Sequence, residues 1–230
     1  SSPELVIRVL IQKGRKDKRI IDLTDNLNSH KILYSISDKN NLDKISKGEV
    51  HQGVISEVMT PPVLGEDSFF HSITMFDQKP MILILDSIQD PRNLGACLRS
   101  ANAAGVSHVV INKDGSAPIN SLVHKTSAGA INSLQIFHVT NLSRTIKQIQ
   151  ERNIWVVGLD GNTQSSIYNV NLTGSIAIVV GSEGKGIRPL IKKNCDQLVS
   201  IPMSGNIESL NVSVATAISL FEIKRQRESS

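Results

Sequence analysis

Residues 80–111, PMILILDSIQDPRNLGACLRSANAAGVSHVVI, carry the reading on which the fold turns. Met81 to Leu85 is an unbroken apolar run of strand length, Asp90-Pro91 is turn chemistry, a helix is expected over about 94–104, and His108 to Ile111 is apolar again. Such a run lacks the alternation of a strand with one wet face, so it is a strand covered on both sides. Strand, helix, strand in that order needs a crossover connection, and repeated crossovers build a parallel sheet flanked by helices.

The pattern continues downstream. A helix near 117–129, a strand at 134–139, a helix at 141–152 with Leu142, Ile146 and Ile149 on one face, and IWVVGL at 154–159 come next in order. SIAIVV at 175–180, LVSIP at 198–202 and a long helix over about 210–226 complete the domain. Upstream, LVIRVLI at 5–11 reads as a strand, 17–27 as a helix, 32–36 as a strand and Gly53 to Val58 as a third strand that stops at Thr60-Pro61-Pro62. The expected division is a small α/β unit over 1–60, a linker over 61–78 and a larger α/β domain over 79–227, consistent with 230 residues exceeding the usual single domain of about 100–150.

With 40% apolar and 20% charged residues, the chain lies outside the low-hydrophobicity regime of disorder. Its longest apolar stretches fall short of the roughly 20 residues that a membrane helix needs. Cys97 and Cys195 form no CxxC pair, and no basic-then-apolar leader precedes the first strand, so a reducing cytoplasm is the expected compartment. The six histidines are scattered without metal-ligand spacing, and no metal is expected. No G-x-S-x-G elbow is present. The net charge of +4 says little about partners, but its distribution says more. Lys13, Arg15, Lys16, Lys18 and Arg19 place five cations in seven residues, which suits either a solvated loop or a surface that contacts RNA phosphates.

Three segments carry candidate chemistry. Asp86 to Arg99, DSIQDPRNLGACLR, begins where a buried strand ends, and ligands of parallel sheets collect at such carboxyl ends. A turn at Asp90-Pro91, a helix cap at Asn93 and a packing role for Gly95 account for all of it except Arg99. Val179 to Ile187, VVGSEGKGI, is a strand that ends in a loop with three glycines in six residues, which lets backbone approach a ligand closely. Its spacing is neither the dinucleotide fingerprint nor a Walker loop, because Gly186 stands where a Ser or Thr would hold magnesium. The third segment is Ile201-Pro202-Met203-Ser204-Gly205 followed by Ser209-Leu210-Asn211, where Ser209 as a helix N-cap and Asn211 as a first-turn residue is the simplest account.

In this order the three segments resemble the SpoU branch of the SPOUT methyltransferases: D-P-x-N-x-G-x-x-x-R at 90–99, V-x-G-S-E-G-x-G at 179–186 and I-P-M-x-G-x-x-x-S-L-N-V-S-x-A at 201–215. The part upstream of residue 60 is similar to the L30e-like RNA-binding domain that precedes the catalytic domain in the 23S rRNA guanosine 2′-O-methyltransferases. That subgroup has a short strand and helix before the first strand seen here, so the resemblance implies a natural start upstream of Ser1. It also implies a trefoil-knotted catalytic domain, where the pattern alone gives an open doubly wound sheet.

The resemblance further implies S-adenosyl-L-methionine as cofactor, held bent and largely by backbone. Gly181, Ile201 and Leu210 fall on the cofactor-contacting positions, with Ser182 and Met203 beside them. Arg99 falls on the arginine held to activate the ribose 2′-hydroxyl, and Asn93, Glu183, Ser209 and Asn211 fall on the residues that position it, the cofactor or the RNA. A guanidinium seldom gives up its proton, so anchoring a phosphate or stabilising a developing alkoxide is an equal reading for Arg99. The family works as homodimers paired through the C-terminal helix and the helix of the first motif. Competing classes are a tRNA 2′-O-methyltransferase, a non-catalytic RNA-binding or ribosome-assembly protein on the same fold, and a Rossmann oxidoreductase, which lacks its early glycine fingerprint here.

Overall fold

The computed structural model describes residues 3–59, 62–76, 78–205 and 209–229, in two units, Ser1–Pro61 and Pro62–Ser230. Thr60, Pro61 and Asp77 of the expected linker, and the variable positions 206–208 of the third motif, lie outside the described residues.

In the first unit, β1 (Val6–Gln12) is the middle of a three-stranded sheet, parallel to β2 (Tyr34–Ser37) and antiparallel to β3 (Val54–Val58). Val9 and Ile11 point to one face of β1, and α1 (Lys18–Ser29) lays Ile20 and Leu27 over them to form the core of this unit. A second helix, α2 (Lys39–Ile45), lies in a stretch where no element is expected from sequence. Only Leu42 of it is buried, and the Asp38 side chain caps it by accepting the Asn41 backbone N–H.

The second unit opens with another unexpected helix. Residues 61–78, expected as a linker, contain α3 (Glu66–Thr74), because Phe69 and Ile73, four residues apart, form one buried face. Phe69 packs against Phe137 and His108, and the Ser72 hydroxyl bonds His108 Nε2 at 3.0 Å. His108 is 1% exposed, and burial pushes its pKa down to about 4.

The remaining elements are β4 (Met81–Asp86), α4 (Pro91–Ala104), β5 (His108–Asn112), α5 (Ser121–Thr126), β6 (Gln135–Val139), α6 (Leu142–Gln150), β7 (Trp155–Leu159), β8 (Ile176–Gly181), α7 (Pro189–Asn194), β9 (Gln197–Val199) and α8 (Val212–Glu228). The six strands run in the order β6-β5-β4-β8-β7-β9, every pair parallel. The doubly covered sheet expected from the apolar runs is therefore present. Leu83, Leu85, Ile178 and Val180 face one core, with residues of α4 and α8, while Ile82, Ile84, Ala177 and Val179 face the other, with α3, α6 and α7. All six residues of β4 are buried, and each large apolar side chain there contributes about 1.5–3 kcal/mol. Among the described residues no helix is long and apolar enough to cross a membrane.

Candidate functional site

Parallel strands end at a common edge, and a cavity of about 610 Å³ opens there, within the range of roughly 300–1,000 Å³ of small-molecule sites. Three walls come from strand ends and their succeeding loops: Leu159 to Asn162 after β7, Val180 to Gly186 at the end of β8, and Ile201 and Met203 after β9. Ser209 to Val212 and Ala215, at the start of α8, close the fourth side.

The glycine loop has a definite shape. Gly186 N–H donates to the Ser182 carbonyl at 2.8 Å, and Gly184 and Gly186 have φ of 75° and 64°. The returning chain passes so close to Gly181 that a Cβ there would overlap the backbone of Gly186 and Ile187. Only glycine fits at 181, and the surface it leaves is backbone rather than side chain. Asp86, opposite Gly181 in the β4–β8 register and 0% exposed, fastens the loop. Its Oδ2 accepts the Arg188 backbone N–H at 2.9 Å and its Oδ1 accepts Arg188 Nε at 2.7 Å.

At the cavity rim the three sequence segments meet in one polar hub. Asn93 Nδ2 and Asn211 Nδ2 both donate to Glu183 Oε1 at 2.7 Å, and Asn211 Nδ2 also lies 3.1 Å from Asn93 Oδ1. Asn93 is buried on α4, Glu183 stands in the glycine loop, and Asn211 is the N-cap of α8. The cap assignment corrects the sequence reading, which gave it to Ser209. Asn211 Oδ1 accepts the Ser213 backbone N–H at 2.9 Å, and Ser209 is an exposed cavity residue just ahead of the helix. Beneath the hub, burial pushes the Cys97 thiol up to about 11, with the Glu183 charge adding to it, so no thiolate nucleophile is available.

Gly181, Ser182, Glu183, Ile201, Met203, Ser209, Leu210 and Asn211 all line the cavity. Asn93 reaches it through Glu183. Arg99 does not line it. Six residues beyond Asn93 on α4, it is rotated about 120° away on the helix and is exposed. Sequence reasoning also missed Lys192 and the loop from Leu159 to Asn162, and the side chains of Asp160 and Lys192 form an ion pair at 2.8 Å across 32 positions of sequence.

In the first unit the cation cluster splits. Lys13, Lys16, Lys18 and Arg19 are exposed, but Arg15 is an internal strut. Its Nε donates to Asp17 at 2.8 Å and its Nη1 donates to the Gln52 carbonyl. A Cβ on Gly53, where φ is 77°, would press on Arg15 Cδ at 2.8 Å, so the glycine permits the strut.

A parallel sheet with a small-molecule cavity at its carboxyl edge, four glycines in the wall and an amide–carboxylate hub at the rim defines a ligand-binding α/β domain joined to a smaller α/β unit. The family comparison makes this specific. Residues 80–221 match the SpoU rRNA Methylase family, and residues 1–63 match the RNA 2′-O ribose methyltransferase substrate binding family. The chain belongs to the SpoU rRNA methylase family.

A 23S rRNA (guanosine-2′-O-)-methyltransferase, RlmB, of Haemophilus influenzae is 48% identical over 98% of this chain and 92% of its own. The crystal structure of the SpoU methyltransferase AviRb from Streptomyces viridochromogenes in complex with AdoMet superposes with a TM-score of 0.77, at 22% identity, over 98% of this chain and 84% of that one. The TrmH/SpoU tRNA modifying enzyme of A. aeolicus, at 32% identity and a TM-score of 0.61, matches only 66% of this chain and 77% of its own.

Proposed function

We propose that this chain is an S-adenosylmethionine-dependent methyltransferase that acts on the ribose 2′-oxygen of a guanosine in 23S rRNA. The observation that carries the chemistry is the hub of Asn93, Glu183 and Asn211 at the rim of the glycine-walled cavity. The near full-length likeness to a 23S rRNA enzyme, against a two-thirds likeness to a tRNA enzyme, favours the rRNA substrate.

The cavity suits the cofactor. The backbone wall at Gly181 to Gly186 and the apolar side chains of Ile201, Met203 and Leu210 offer a place for an adenosine without a phosphate cradle, matching a cofactor that has no phosphate. When bound, the cofactor supplies an electrophilic methyl group. The residues of this chain have the task of placement. Glu183 Oε1 is fully engaged by two amides, which holds the carboxylate still and leaves Oε2 to accept a hydrogen bond from the ribose 2′-hydroxyl. Ser209, exposed at the same rim, adds a hydroxyl to that contact. Arg99, outside the hub, anchors an RNA phosphate and steadies negative charge rather than removing the proton.

The exposed Lys13, Lys16, Lys18 and Arg19 hold rRNA phosphates, with Arg15 shaping the loop that presents them. A knotted catalytic domain fits the chain path, in which β9 lies at the sheet edge outside β7 and α8 returns to pack on α4 over the sheet centre. The protein acts as a homodimer through α8, which leaves Val214 and Phe221, seven residues apart on one face, exposed at 46% each. An RNA substrate and the free Cys97 and Cys195 fit a reducing cytoplasm.

Mapping 2′-O-methylation across total RNA from cells with and without the protein tests the function. Loss of one 23S guanosine methyl is the expected result. Loss of a tRNA methyl would move the substrate, and an unchanged map would leave a non-catalytic RNA-binding protein.

A further inference from the structure

The cavity has two polar poles. The Asn93 and Glu183 members of the hub stand after β4 and β8, whereas Asp160 stands after β7, one to two strands further along the sheet, and Lys192 on α7. At about 4.8 Å per strand the poles are some 5–10 Å apart, the length of a nucleoside.

Asp160 is held in place from several sides. Its backbone N–H donates to the Val199 carbonyl of β9 at 2.8 Å, and its Oδ2 pairs with Lys192 Nζ at 2.8 Å. Ile191, the neighbour of Lys192, is buried in the core and seats α7. The side chains of Asp160 and Lys192 are only 13% and 27% exposed, so the pair belongs to the wall rather than to the outer surface. Oδ1 has only long contacts, 3.3 and 3.4 Å to the Asn162 backbone N–H and side-chain amide, so it retains acceptor capacity toward the cavity. Burial works to raise the Asp160 carboxyl, but Lys192 and Asn162 outweigh it and hold the group below its ordinary value, ionised and acceptor-only.

We propose that the Asp160–Lys192 pair holds the nucleoside half of the cofactor, with the Asp160 carboxylate accepting the ribose hydroxyls. This rests on S-adenosylmethionine being the cofactor of the cavity. The methyl must meet the ribose 2′-oxygen of the RNA at the hub, so the adenosine arm extends away from it, toward β7. A pair whose charges already cancel suits a neutral diol.

The test uses isothermal titration calorimetry on the full chain with S-adenosylhomocysteine and with 5′-deoxy-5′-methylthioadenosine, which keeps the nucleoside and lacks the amino-acid arm. Asp160→Asn is expected to weaken both ligands by the same factor, about tenfold for a lost charge-assisted contact, and Lys192→Met, which only unpins the acceptor, to weaken both equally by a smaller factor of about threefold. Weakening of S-adenosylhomocysteine alone would assign the pair to the amino-acid arm and overturn the proposal. Unchanged affinity for both ligands would overturn it while leaving the cofactor assignment intact. A wild-type chain that binds neither ligand would overturn both. Circular dichroism checks folding, and Lys192→Met, which leaves the acceptor in place, carries the comparison alone if Asp160→Asn does not fold.

Discussion

Asn211 Nδ2 lies 2.7 Å from Glu183 Oε1 while Oδ1 of the same amide accepts the Ser213 backbone N–H at 2.9 Å. One side chain thus starts α8 and steadies the carboxylate, and two substitutions separate these tasks. Asn211→Ser keeps a capping oxygen and loses the donor, so its melting temperature should stay near that of the wild type while methyl transfer falls by tenfold or more. Asn211→Ala loses both and should also cost about 1 kcal/mol of stability. Transfer of a labelled methyl group to RNA, together with thermal melts, reads both effects. Equal activity of Asn211→Ser and wild type would remove Glu183 positioning from the mechanism.

The strands of this domain are legible in sequence because burial on both faces writes itself as unbroken apolar runs, as in Met81 to Leu85 and Ile176 to Val180. The glycine loop is legible for a similar reason, since close backbone approach excludes side chains at Gly181. Helices with a small buried face are not. α2 buries Leu42 alone, and α3 rests on Phe69 and Ile73 directly after a pair of prolines that reads as a break. Pairings across long separations leave no local mark, so the partners of Asp160 and Arg15 appear only once the chain is folded. Arg99 is legible as a cation on the same helix as Asn93, but six positions turn it to another face of α4, away from the hub.

Asp86 and Arg188 should respond unequally to substitution. Asp86 is fully buried, whereas the Arg188 side chain is 52% exposed. Arg188→Met strands a buried carboxylate and should cost about 3 kcal/mol, while Asp86→Asn removes the charge and leaves an arginine that reaches water, costing about 1 kcal/mol. Urea unfolding of the two variants checks the order, and a larger loss in Asp86→Asn would contradict it.

His108 gives the fold a pH dependence. Its pKa falls from 6.5 to about 4 on burial, so between these values the unfolded chain binds the proton and the folded chain does not. Its contribution to stability is therefore constant above pH 6.5 and declines as pH falls toward 4, by about 2 kcal/mol at pH 5. Urea midpoints at pH 7 and pH 5 for wild type and His108→Gln should show a smaller decline in the variant. A decline of equal size in both would place the titration elsewhere.

The cation cluster of the first unit should split by task in the same way as it splits by structure. Replacing Lys13, Lys16, Lys18 and Arg19 by Gln removes four exposed charges and leaves the strut, so the unit should fold and RNA affinity should fall. Each lost phosphate contact flattens the dependence of log K on log salt by about 0.7–0.9, so four contacts flatten it by about 3. Arg15→Gln should act differently. It frees the Gln52 carbonyl and the Asp17 carboxylate, lowering stability with a change of less than about 1 in the salt slope. Filter binding of a 23S rRNA fragment across a salt series measures both variants. An unchanged slope in the fourfold variant would show that the RNA lies against another face of the unit.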